Sequence, residues 1–273
     1  MLRNECGMRY FWGAMLSVLI FGLASAARAG TFDNWMNRMT IRASGSGPAG
    51  VLTNFPMLVV LSNNVGNSGF SYSGFASTNG ADLRFAASNQ TTELNYEIES
   101  WDTNGASYVW VQVSEMVDTN SLIYAFWGNE DATAPAYATN GRTWSEGYYA
   151  VWHMGETSPR DSTSNGLHTI GSGLDLTNGP MGRGLFFGAS GKAAVSNAFA
   201  PTGGRFTVEL WGLIVGTTTD RRPFESYTAT GPKRLILRWN ETVAGKTTYY
   251  DSGERPGTGC GSSLNNGNWQ HLT

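Results

Sequence analysis

The sequence predicts an all-β protein of two domains, and three observations predict it. Short runs rich in Val, Ile, Tyr, Phe and Trp are separated by clusters of Gly, Asn, Ser, Thr and Asp. Within those runs apolar residues recur with a period of two, the spacing of a half-buried strand. No long stretch combines helical periodicity with caps, so helix content should be low. Aromatic residues make up 12% of the 273-residue chain. They can bury the large apolar areas that a core without disulfide staples needs.

The first segment reads as a leader. MLRNECGMR carries Arg3 and Arg9, the uncharged run YFWGAMLSVLIFGLASA follows, and Ala27-Arg28-Ala29 forms a small-x-small site before Gly30. That order is the secretory signal pattern, with cleavage expected after Ala29 and a secreted, periplasmic or cell-envelope destination. An uncleaved anchor is the alternative, because the run is just long enough to be marginal as a span. No membrane span is expected after residue 30. Cys6 precedes the apolar run, the wrong place for lipid attachment. Cleavage would leave Cys260 as the only cysteine, so export brings no internal disulfide within these residues. Cys260 reads as a buried or inert thiol, with pairing to another chain left open.

Residues 30–130 form the expected first domain. Its strands are MTIRA (39–43), PMLVVL (56–61), ADLRF (81–85), ELNYEIE (93–99), SYVWVQV (107–113) and SLIYAFW (121–127). In SYVWVQV, Val109, Val111 and Val113 share one face. In ELNYEIE, Leu94, Tyr96 and Ile98 alternate with Asn95, Glu97 and Glu99. The run 131–147 lacks alternation, holds Pro135 and reads as a linker. The second domain, 148–273, has the expected strands YYAVWHM (148–154), GLFFG (184–188), KAAVS (192–196), RFTVELWGLIV (205–215), RLILRWN (234–240), KTTYYD (246–251) and WQHLT (269–273). In RFTVELW, Thr207, Glu209 and Trp211 face away from Phe206, Val208 and Leu210. The last strand runs into the C-terminus, the pattern expected of a truncated module.

Two resemblances follow from these blocks. DNWMNRMTI, LTNFPMLVVLS, ADLRFAASNQTTELNYEIESWD, YVWVQVSEM and IYAFWGN occur in order over residues 33–129. They resemble a bacterial family, domain of unknown function 2341, with Trp127 standing where Tyr is more usual before Gly-Asn. The resemblance implies an exported all-β bacterial module and no chemistry, although some relatives are associated with proton-channel subunits. VWHMGE, DSTSNG, GRGLFFGASGKAAVS, RFTVELW and NWQHLT, within 148–273, look like a concanavalin A-like lectin/glucanase module of the laminin-G type. On that resemblance the fold is a β-sandwich-like N-terminal domain followed by an incomplete concanavalin A-like jelly-roll sandwich lacking about a quarter of its strands.

Charge narrows the function. The formal net charge is −3 and the only lysines are Lys192, Lys233 and Lys246. Such a chain lacks the electrostatic footprint of a nucleic-acid binder. RRP (221–223) and PKR (232–234) read as solvated loop ends. NETVAGKT (240–247) misses a phosphate-binding loop by having Asn240 at its first glycine position and a strand, not a helix, after it.

The stretch YYAVWHMGETSPRDSTSNG (148–166) gathers His153, Glu156, Asp161 and Ser162. A serine nucleophile needs a strained elbow and an oxyanion hole, and no G-x-S-x-G occurs. Ser162 and Ser164 sit in DSTSNG, a turn-forming composition. His153 reads as a hydrogen-bonded structural residue, and no catalytic residue is assigned. A retaining glycosidase needs paired carboxylates about 5–5.5 Å apart. EIESWD (97–102) offers Glu97, Glu99 and Asp102, but alternation puts Glu97 and Glu99 on the solvated face of a strand.

The histidines His153, His168 and His271 have no zinc spacing. Laminin-G-like modules often hold calcium, to which Glu156, Asp161 and Asp175 could contribute, with no motif to fix them. The remaining mode is binding. Tyr148 and Tyr149, Tyr249 and Tyr250, and Phe186 and Phe187 are adjacent pairs, so one of each should face outward. The expectation is therefore an exported non-catalytic protein recognising a glycan or cell-surface partner. The alternatives are an envelope spacer acting through protein contacts and, less favoured, a glycoside hydrolase. Sequons at 89–91 and 240–242 matter only in a glycosylating host.

Overall fold

The alternating runs of the N-terminal half become strands that divide between two sheets. A computed structural model describes residues 30–43, 50–118, 121–195, 206–214, 221–227, 234–239, 247–251, 255–256 and 267–272. The first seven strands are β1 (Asn37–Arg42), β2 (Leu52–Leu61), β3 (Arg84–Ala86), β4 (Glu93–Leu94), β5 (Tyr96–Ser100), β6 (Ser107–Met116) and β7 (Leu122–Trp127). One sheet has the order β1-β7-β3-β4 and the other β2-β6-β5. Their facing sides make the core. Val59, Leu61, Val109 and Val111 come from one sheet; Met39, Phe85, Leu94, Ile123, Ala125 and Trp127 come from the other. Each buried Val, Leu, Ile, Met or Phe side chain among them contributes about 1.5–3 kcal/mol by leaving water. The fold is all-β, as composition and periodicity predict.

The run 93–99 departs from its expected form in one respect. It is not one strand but two, broken at Asn95, where the chain passes from one sheet to the other. β4 pairs with β3, while β5 pairs with β6. Asn95 Nδ2 donates to Gln112 Oε1 at 2.9 Å, and Gln112 N–H donates to the Asn95 carbonyl at 2.9 Å, which holds the crossing residue in place. Alternation survives the crossing, so Leu94 and Tyr96 both enter the core.

One end of the sandwich is closed by Phe70, Tyr72, Phe75, Trp101 and Trp127, packed edge-on or tilted at 5.0–6.3 Å, with Phe75 and Trp127 stacked. Asp82 ties this end together. Its buried carboxylate accepts Ala76 N–H at 2.9 Å, Ser77 N–H at 3.1 Å and Gly128 N–H at 2.8 Å, along with the Ser77 hydroxyl at 2.5 Å. Burial opposes its charge, but these donors prevail and hold its pKa below the ordinary value. Gly128 has φ +88°, and a Cβ there would meet the Gly74 carbonyl at 2.8 Å, so the turn requires glycine.

Residues 131–147, expected as a linker, lie on the sandwich. Arg84 reaches the Thr133 carbonyl at 2.6 Å and Glu93 at 3.2 Å, and Glu93 also accepts from the Tyr137 hydroxyl. Tyr137 packs edge-on to Tyr96 at 5.5 Å. Thr143 and Trp144 are buried in a short 3-10 turn. The missing alternation reflects a segment that packs through single anchors, not one that stands free.

The second half holds β8 (Ile170–Gly179), β9 (Gly182–Ala194), β10 (Leu210–Gly212), β11 (Arg221–Tyr227), β12 (Arg234–Trp239), β13 (Thr247–Asp251), β14 (Arg255–Pro256) and β15 (Gln270–Leu272). β8 and β9 form a two-stranded ribbon, β10 and β15 another, and β11-β12-β13-β14 a sheet. Several expectations need correction. YYAVWHM is not a strand; it makes only an isolated bridge between Trp152 and Asp161, and Met154 has φ +58°. GLFFG and residues 192–194 of KAAVS fall within the single strand β9. Its partner β8, Gly-rich and without alternation, carries no strand signal. Among the described residues 206–214 of RFTVELWGLIV, only Leu210–Gly212 pair. Residues 221–223 open strand β11 instead of ending a loop. Thr247 opens β13, so a strand follows NETVAGKT; Arg234, the last residue of PKR, opens β12, while residues 240–246, 232–233 and Cys260 lie outside the described residues. Among the described residues no helix is long and apolar enough to cross a membrane.

Candidate functional site: a buried histidine beneath a folded loop

Alternation on β5 aims Glu97 and Glu99 away from the core, as the sequence predicts, but not into solvent. The segment 142–169 folds over that face, and the side-chain exposures of Glu97 and Glu99 fall to 18% and 6%. His153 descends between them. Its Nδ1 pairs with Glu99 Oε2, and its Nε2 approaches Glu97 Oε1 at 3.4 Å. The second contact is an ion pair without hydrogen-bond alignment, so Nε2 has no hydrogen-bond partner. Burial disfavours the imidazolium, but the two carboxylates beside it, Glu97 and Glu99, outweigh that cost, and the pKa rises to about 9. His153 is therefore protonated at neutral pH.

Both carboxylates have further partners. Trp110 Nε1 donates to Glu99 at 2.8 Å, Trp144 Nε1 donates to Glu97, and the Ser162 hydroxyl donates to Glu97 at 2.6 Å. The rings stack the cover onto the sheet, with Trp144 at 5.3 Å from Trp110, 5.7 Å from His153 and 5.2 Å from Tyr148. Gln112 Nε2 donates to Ser145 Oγ at 2.9 Å.

The loop that delivers His153 and Ser162 is organised by Asp161. Its carboxylate accepts Val151 N–H at 3.0 Å, Thr163 N–H at 2.9 Å, Leu167 N–H at 2.9 Å and the Thr163 hydroxyl at 2.8 Å. Its own N–H donates to His168 Nδ1 at 3.0 Å. Trp152 Nε1 donates to the Leu167 carbonyl at 2.8 Å, and Asn165 Nδ2 to that of Tyr149 at 2.9 Å. DSTSNG is thus a turn whose first residue binds backbone donors from both sides.

This geometry decides what the gathered residues can do. Ser162 gives its proton to Glu97, not to a histidine, so no nucleophile–base pair forms. Glu97 and Glu99 are covered and capped by indole N–H groups, whereas a glycosidase pair must be open to its substrate. Asp161 faces four donors, the wrong polarity for a calcium ligand. Glu156 accepts Arg160 N–H at 3.0 Å, and Asp175 is exposed on β8. Among the described residues no group of three or more His, Cys, Asp or Glu side chains could hold a metal ion. The cluster is a clasp that fastens 142–169 to β5 and β6. Sequence reading missed the role of Glu97 and Glu99 because the loop partners that cover them, from Trp144 to Ser162, stand 47–65 residues downstream.

The expected surface aromatics fall elsewhere. Phe186 and Phe187 are both exposed on β9, and Tyr148 and Tyr149 are exposed at the start of the loop. The side chains of Tyr249 and Tyr250 lie outside the described residues. Trp211 on β10 is exposed too. No curated protein and no solved structure matches the chain. A family match covers residues 79–145, which hold Asp82, Arg84, Glu97, Glu99, Trp110 and Trp144 and so include the sandwich side of the clasp. That segment is similar to the family described as a domain of unknown function (DUF2341).

Proposed function

We propose that the chain is an exported, non-catalytic recognition protein of a bacterial envelope, in which the C-terminal half, read as a laminin-G-like module, engages a glycan or a cell-surface partner. One contrast carries this reading. The titratable groups that catalysis would need are spent on the internal clasp, while Tyr148, Tyr149, Phe186, Phe187 and Trp211 stand 37–48% exposed on the covering loop and ribbons. Exposed aromatic faces beside polar groups are how proteins hold sugars and other partly apolar ligands. The reading is tested by passing the full chain over immobilised polysaccharides in calcium and then in a chelator. Saturable retention is expected; a folded protein retained by none of them would remove the glycan reading.

A second reading, an envelope spacer working through protein contacts, has its own observation. The β8–β9 register pairs Leu174 with Phe187 and Leu176 with Leu185, which puts four apolar residues on one face of the ribbon. A face of that kind suits another protein better than a sugar.

A further inference from the structure

We propose that one face of the β10–β15 ribbon is a platform for a neutral sugar, with Trp211 as the stacking surface and Glu209 and His271 as the hydrogen-bonding pair. The proposal rests on the glycan reading above and gives it a location. Trp211 pairs directly across the ladder with His271. Glu209 lies two residues before Trp211, so alternation puts all three side chains on one face. The indole and imidazole centroids are 4.9 Å apart with the rings tilted by 33°. The imidazole thus supports one side of the indole, and Trp211 remains 45% exposed. His271 Nε2 lies 2.8 Å from Glu209 Oε1, which fixes the two polar groups relative to each other beside the ring.

The chemistry selects the ligand class. A pyranose has an apolar C–H face that can lie on an indole, and hydroxyls at its rim that both donate and accept. A carboxylate accepts from such hydroxyls, and an imidazole can do either. Side-chain exposures of 62% for Glu209 and 37% for His271 leave both groups within a ligand's reach. The negative charge of Glu209 disfavours uronates and sulfated sugars, so the ligand is neutral. Phe186 and Phe187 offer no comparable surface, because adjacent residues on β9 point to opposite faces of their ribbon.

The test is native affinity electrophoresis of the full chain through gels containing a soluble β-glucan, a galactomannan or a xylan, with a polyuronate in parallel. The unsubstituted chain should be retarded by at least one neutral polymer. Trp211→Ala should weaken retardation about tenfold, the loss of one stacking contact. Glu209→Gln should weaken it by less, and Phe186→Ala should leave it unchanged. Trp211→Tyr, which keeps a ring, guards against a folding artefact and should retain more binding than Trp211→Ala. Retardation that survives Trp211→Ala, or is lost equally in Trp211→Tyr, overturns the platform and leaves the glycan reading standing. An unsubstituted chain retarded by no polymer overturns both. Tighter binding to the polyuronate than to any neutral polymer overturns the neutral-sugar assignment.

Discussion

β6 and β8 are both ten-residue strands, and their burial is opposite. β6 sends Val109, Val111 and Val113 into a core closed by a second sheet, while its outer face is covered by Trp144 and the loop behind it. β8 has no buried residue and, among the described residues, pairs only with β9. The difference teaches where the stability of the chain resides. A ladder of backbone hydrogen bonds is common to both, but a two-stranded ribbon alone is marginal in water. Burial on two faces, plus polar groups anchored at the ends, makes the sandwich cooperative. The ribbons present surface instead, which is what a recognition element needs.

The largest test of this contrast is at Asp82. Asp82→Ala leaves three backbone N–H groups and a hydroxyl at the closed end of the sandwich without their buried acceptor, the buried Gly128 N–H among them. The expected loss is about 4 kcal/mol, read from denaturant melts. Its lowered pKa adds a sign. The stabilisation is complete above the ordinary value of 3.8 and is lost as pH falls through the lower folded value. Asp82→Asn should flatten that acid limb, and an unchanged acid midpoint would show that another carboxylate governs it.

The clasp comes next and acts in the other direction. The His153 pKa stands near 9 instead of 6.5, so its stabilising contribution is complete below 6.5 and is lost as pH rises through 9. The contribution is at most roughly 3 kcal/mol. Protease nicking within 148–169, calibrated on an unstructured peptide at each pH, should rise sharply between pH 8 and 10. His153→Gln should nick readily at every pH, with the melt of the sandwich little changed. A nicking rate that stays flat to pH 10 in the unsubstituted chain would mean that the ion pairs do not hold the loop.

Gly128→Ala should cost about 2 kcal/mol, since it combines a left-handed backbone with a clash against the Gly74 carbonyl. At the small end, Leu176→Ser on the ribbon should shift stability by less than about 0.5 kcal/mol. A larger loss there would show that the apolar face of β8–β9 is covered in solution, and would move the functional reading toward protein contacts.

Much of the sandwich was legible because its strands alternate. The valines of β6 and the pair Leu94 and Tyr96 point inward as their spacing requires. The exposure of Glu209 and Trp211 against the partial burial of Val208 and Leu210 follows the same rule, but Phe206, expected on the face of Val208 and Leu210, is exposed. The clasp was not legible. Glu97 and Glu99 have the pattern of a solvated strand face whether or not something folds over them. His153 sits in a run that looks like a strand, yet the dense hydrogen bonding around Asp161 bends that run into a loop.

The all-β class, and which side chains of a strand share a face, could be read from the chain before any folding. These follow from composition and a period of two, which are local properties of a chain. The tertiary structure alone decided that Asn95 passes between sheets, that 131–147 is an anchored segment, and that two glutamates end beneath a histidine. Each of those depends on a partner distant in sequence, and long-range pairing leaves no periodic trace in either partner.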